Sequence, residues 1–88
     1  MSDLCISSLV IQAQPAMMAA VRKQLDAIAQ AEVLAESEEG KLVVVLDTAS
    51  SREAADTITD IQNQTGILSA TLIYQFDDQF EIQLEDSV

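Results

Sequence analysis

The chain has no histidine, one cysteine, one proline, two glycines, and only four basic residues against fifteen acidic ones. Each scarcity excludes something. Without histidine there is no Ser-His or Cys-His nucleophile pair and none of the usual zinc ligation. A lone cysteine, Cys5, rules out an internal disulfide framework and any paired-cysteine metal or redox site. Lying in a strand-like run, it reads as a small buried hydrophobe. So little glycine and proline argues against a loop-rich or disordered chain. The net charge of −11 leaves no cluster of Lys and Arg for phosphates, so neither nucleic acid nor an anionic membrane surface is expected as a partner. A basic partner would be steered in instead, although acidity equally serves plain solubility. No apolar run approaches the length of a membrane-spanning helix. The start, MSDLCISS, lacks the basic region of a signal peptide, and the expected location is cytoplasmic.

What is present suits one small domain. Eighty-eight residues, 49% of them hydrophobic, bury roughly 60–65% of their unfolded surface, enough for a single modest core. Leu4 to Ala13 reads as a first strand. Pro15 suits the first position of a helix, where its missing N–H costs nothing. Met18, Val21, Leu25 and Ile28 then recur at steps of three, four and three, one apolar helix stripe that ends near Ala29. Ala31 to Glu36 is a short second strand, SEEG (37–40) a turn with Gly40 free for positive φ, and KLVVVLD (41–47) a central strand with both faces apolar. A four-residue loop pairs Glu36 with Lys41, Ala35 with Leu42, Leu34 with Val43, Val33 with Val44 and Glu32 with Val45. SSRE (50–53) is a capping box, opening a second helix with Ala54, Ile58 and Ile61 inward. Gly66 is its candidate C-cap. ILSATLIYQF (67–76) is a fourth strand, with Leu68, Ala70, Leu72 and Tyr74 on one side and Ser69, Thr71, Ile73 and Gln75 on the other.

The order β-α-β-β-α-β defines an α+β, ferredoxin-like plan: a four-stranded antiparallel sheet with two helices on one face and strands one and three at its centre. The helices cover one side only. Ser8, Val10, Gln12, Leu34, Val43, Val45, Ser69, Thr71 and Ile73 fall to the other side, which is small, apolar and nearly uncharged in the middle. Glu32 and Glu36 are expected at its margin, and Asp77 and Asp78 just past strand four. Such a face is either a weakly solvated surface, a homodimer seam or a dock for an apolar segment with a basic end, its centre supplying buried area and its rim orientation.

The same residues resemble those of the NapD family. SLVIQA (8–13), GKLVVVLD (40–47) and GILSATLIYQ (66–75) look like its strands, at matching separations, and the resemblance spans roughly residues 5–76. Each motif is an ordinary strand pattern by itself; their combination with length and acidity is what is specific. The resemblance implies a small cytoplasmic chaperone without catalytic residues or a cofactor of its own. Its implied partner is the twin-arginine signal peptide of NapA, the molybdenum-containing catalytic subunit of periplasmic nitrate reductase, held back from export until its cofactor is inserted. Ser8, Val10 and Gln12 fall in the family's first-strand motif, Thr71 and Ile73 in its last. The end of the chain departs from the family: after Gln75 comes FDDQFEIQLEDSV, with Phe76, Phe80, Ile82 and Leu84 alternating among acids. Residues 1–76 thus read as the domain, and residues 77–88 as an acidic-hydrophobic tail or an extra strand.

Other readings of the pattern are weaker. Glu38-Glu39 and Asp77-Asp78 are adjacent acids of the kind found solvated in turns, not a buried acid–base pair. No EF-hand, GxGxxG or P-loop occurs, and no metal site is expected. An acylphosphatase-like enzyme needs an anion cradle with an arginine, whereas Arg22 and Arg52 lie on helices with no glycine-rich loop beside them. An RRM-type RNA binder needs aromatics on strands one and three and a basic surface. An ACT-like regulatory domain, binding a small molecule across a stable dimer or simply self-associating, shares the strand order and is the alternative function. The chaperone reading expects a monomer or weak dimer that binds without chemistry. The peptide lies as a helix on the open face or adds as a strand to an edge.

Overall fold

β1 (Cys5–Ala13) alternates buried and half-buried residues along its whole length, as a central strand does when one of its faces meets helices and the other does not. The structure is a computed structural model that describes residues 4–77. A single turn of 3₁₀-helix (Pro15–Met17) leads into α1 (Met18–Asp26). β2 (Ala31–Glu36), β3 (Lys41–Thr48), α2 (Ser51–Gln62) and β4 (Ile67–Asp77) follow. The sheet order is β2-β3-β1-β4 with every neighbouring pair antiparallel, the ferredoxin-like arrangement expected.

The core lies between the sheet and the two helices. Leu9 and Ile11 of β1, Leu42, Val44 and Leu46 of β3, Val21 and Leu25 of α1 and Ile61 of α2 are all fully buried there. Met18, Ile28 and Ile58 pack partly buried against them. α2 begins as its capping box dictates. The Glu53 N–H, a donor that a helix start leaves orphaned, donates to Ser50 Oγ (3.1 Å), and Glu53 Oε1 reaches back past the N-cap to accept from the Ala49 N–H (2.8 Å). Gly40 has φ +99°, and a Cβ there would sit 2.2 Å from the Ala13 carbonyl oxygen. The same close approach carries a hydrogen bond, Ala13 N–H to Gly40 O at 2.7 Å, that ties the β2–β3 turn to the end of β1.

Four sequence expectations are corrected. α1 stops at Asp26 rather than near Ala29. The chain must turn there so that the Gln30 carbonyl accepts from Asp47 and Ala31 comes opposite Leu46. Gly66 does not cap α2, which closes at Asn63; its φ of +94° instead serves the turn into β4. The β2–β3 register holds at Glu32–Val45 and Val33–Val44, but Leu34 is an extra residue, so Ala35 pairs with Val43 and Glu36 with Leu42. One inserted residue moves every later side chain to the other face. β4 has the same defect against β1: its register shifts at Ile73 and again at Leu68, so Tyr74 comes opposite Ser8 and Gln75 opposite Ser7.

Candidate functional site

Residues directly opposite one another in an antiparallel pair point to the same side, so the registers lay out the sheet face that carries no helix. Four rows cross it. Asp47, Ile6 and Phe76 form the first; Glu32, Val45, Ser8 and Tyr74 the second; Ala35, Val43, Val10 and Thr71 the third; Lys41, Gln12 and Ser69 the last. Ile6, Ser8, Val10, Gln12, Val43 and Val45 are half-buried by their neighbours, while Thr71, Tyr74 and Ala35 on the outer strands are exposed. An open cleft of about 410 Å³ is lined by Val10, Ala35, Val43, Lys41 and Ser37 and, round the edge of the sheet, by Glu36 and Leu42.

Of the residues expected on this face, Ser8, Val10, Gln12, Val43, Val45 and Thr71 stand together on it. Leu34 and Ile73 are the extra residues of two of the sheet's three bulges, each 58% exposed. Glu32 is at the margin, opposite Val45. Glu36 is not: the bulge turns it to the helix side, where it pairs with Arg22 of α1. Hydrogen bonds from Arg22, first to Glu36 and then to Asp26, hold that guanidinium above its ordinary range. Asp77 ends β4 opposite Cys5, and Asp78 lies outside the described residues. The expected acidic rim therefore has Glu32 and Asp47 at the face's margin, while Glu36 lines the cleft with its carboxylate bonded to Arg22.

Four further residues belong to the face and were not anticipated. Ile6 was legible, since Ile6, Ser8, Val10 and Gln12 are one period-two series. Tyr74 and Phe76 were not: strict alternation puts Tyr74 with the core, and only the bulge at Ile73 reverses it. Ala35 was hidden by the matching bulge in β2. Gln75, expected on this face, instead donates to Ser7 Oγ on the helix side at 3.0 Å. There, near the sheet's end, buried Thr48 donates to the Cys5 and Ser50 carbonyls, so these polar groups hold the strand ends together. Among the described residues no three acidic or cysteine side chains converge to hold a metal ion, and no helix is long and apolar enough to cross a membrane.

The rows are about 6.8 Å apart along the strands, so four span about 20 Å, and four strands span about 14 Å across. An α-helix is about 10–12 Å wide with its side chains, so the surface has room for one helix of three to four turns.

Fold and surface together define a class: a small ferredoxin-like α+β domain with one charge-poor sheet face that nothing among the described residues covers. The family model described as NapD protein matches residues 4–79, and the chain belongs to the NapD family of chaperones. The proteins named Chaperone NapD from Escherichia coli strain K12 and from Shigella flexneri are each 31% identical to it over 70 residues, covering 78% of this chain and 80% of theirs. The solution structure of the E. coli Tat proofreading chaperone protein NapD superposes with a TM-score of 0.78 at 30% identity, covering 83% of this chain and 78% of that one.

Proposed function

We propose that this protein is a cytoplasmic, non-enzymatic chaperone that binds the twin-arginine signal peptide of the nitrate reductase catalytic subunit NapA. Binding restrains export until cofactor insertion and assembly are complete. The observation that carries the reading is the uncovered apolar face of a NapD-family domain, with Glu32 and Asp47 at its margin. Val10, Val43 and Val45 supply the floor for an apolar segment, with Ser8, Gln12 and Thr71 among them and the bulge residues Leu34 and Ile73 beside it. The acids orient a basic end and speed its arrival. A helix across the face uses all four rows at once, whereas a strand added to an edge would leave the apolar floor bare. The protein acts as a monomer or weak dimer, and binding is its whole chemistry.

Titration calorimetry with a synthetic NapA signal peptide, beside a copy whose two arginines are made neutral, tests this. Tight binding that weakens at least tenfold in the altered copy is the expected result. Equal binding of both copies would assign recognition to the apolar stretch alone. Absence of binding by the folded protein would overturn the reading.

A further inference from the structure

The first two rows of the open face offer a cation two different things. Glu32 stands on β2 and Asp47 on β3, while β4 contributes Tyr74 and Phe76 to the same two rows. From Ile67 to Phe76, β4 carries no charged residue. Acids therefore flank one side of the face and aromatic rings the other. Phe76 is half-buried opposite Ile6, but Tyr74 is 58% exposed. In the second row only Val45 and Ser8 stand between Glu32 and Tyr74. Three strand spacings separate these outer residues, about 14 Å.

An exposed aromatic ring is a cation site of its own kind. Its π-face is negative, and a guanidinium, planar and weakly hydrated, stacks on it better than an ammonium does. A carboxylate and a ring about 14 Å apart do not close on one guanidinium. They suit two. Adjacent arginines on a helix meet that spacing. Consecutive residues leave an α-helix about 100° apart, and the helix with its side chains is about 10–12 Å wide. A helix lying along the strands, with its two arginines straddling the line of contact, sends one long side chain over each flank. One guanidinium reaches the Glu32 edge and the other reaches Tyr74. A lone arginine fills only one of the two places.

Resting on the reading that this face takes a twin-arginine peptide, we propose that the face divides the pair. One arginine is held by the Glu32 carboxylate, with Asp47 in the next row, and the other stacks on the ring of Tyr74. Tyr74 is then a specificity-determining residue, and the width of the sheet is what reads two arginines side by side.

Calorimetry on full-length Tyr74→Leu, Tyr74→Phe and Glu32→Gln tests this, each titrated with the NapA signal peptide and with copies in which one or the other arginine is made neutral. Tyr74→Leu should weaken the unaltered peptide about fivefold, and Tyr74→Phe, which keeps the ring, less than about twofold. One arginine should cease to matter in Tyr74→Leu, and the other in Glu32→Gln. The proposal is overturned if Tyr74→Leu binds as wild type does, if Tyr74→Phe loses as much as Tyr74→Leu, or if both variants become blind to the same arginine. A second titration separates this proposal from the reading beneath it. Tyr74 is the one tyrosine of the chain, so N-acetyl-arginine amide added to the protein alone should move the tyrosine ring resonances, and N-acetyl-lysine amide should move them less. Ring shifts without any peptide binding would keep the guanidinium site and sink the signal-peptide reading. Peptide binding with a silent ring would sink the proposal and keep the reading, and silence in both titrations would overturn both.

Discussion

Val10 and Val43 stand opposite one another at the middle of the open face, half-buried and with no helix above them. A charge placed there meets solvent in the free protein and an apolar ligand in the complex. Val10→Glu should therefore weaken signal-peptide binding tenfold or more by calorimetry, while lowering the unfolding free energy measured in urea by less than about 1 kcal/mol. Its neighbour in sequence gives the contrast, since Leu9 is fully buried on the other side and Leu9→Ala should cost about 2–5 kcal/mol. Equal affinity of Val10→Glu and wild type would remove this face from the site. The acids divide in the same way. Glu32→Lys should slow association severalfold in stopped-flow mixing, whereas Glu36→Lys, on the helix side with Arg22, should leave the rate within about twofold. Gly40→Ala meets both a positive φ and the Ala13 carbonyl and should lose more than about 1 kcal/mol of stability in urea titration.

Elements were legible wherever a local signal defines them. The bounds of β2 follow from one apolar-polar alternation between two turns, and the start of α2 from Ser50 and Glu53. Replacing that cap, Ser50→Ala, should cost about 1 kcal/mol in thermal or urea unfolding, with no change in peptide affinity because α2 lies on the opposite side of the sheet. A loss near zero would mean that the cap's hydrogen bonds are replaced by water. The bulges were not legible. No glycine or proline marks Leu34 or Ile73, and a one-residue insertion is a property of two strands meeting, not of either strand alone. Its effect is large nonetheless: the bulge at Leu34 pairs Glu36 with Leu42 and turns it toward Arg22, and the bulge at Ile73 brings Tyr74 and Phe76 onto the face. Strand pairing is thus where reading by alternation fails, and it fails for every residue beyond the insertion.

The molecule as a whole carries −11, and a field of that size acts at a distance only while salt permits. The association rate with a doubly basic peptide should fall roughly tenfold between about 0.01 and 0.15 M salt, as the Debye length shortens from about 30 to 8 Å. The copy with neutralised arginines should show a much flatter dependence; matching slopes would mean that the field does not steer the arginine pair. The strand order was readable at this scale because element order and right-handed crossovers leave few topologies. That order has a further consequence. β1, the first of the described strands, takes β4, the last of them, as one of its two neighbours, and Ile6 finds Phe76 across 69 intervening positions. Closing so long a loop is entropically slow. During synthesis the half of the sheet that β4 completes cannot form until residues 67–77 have left the ribosome. Tyr74 and Phe76 join the face at that same moment, so a nascent copy has no complete face before then.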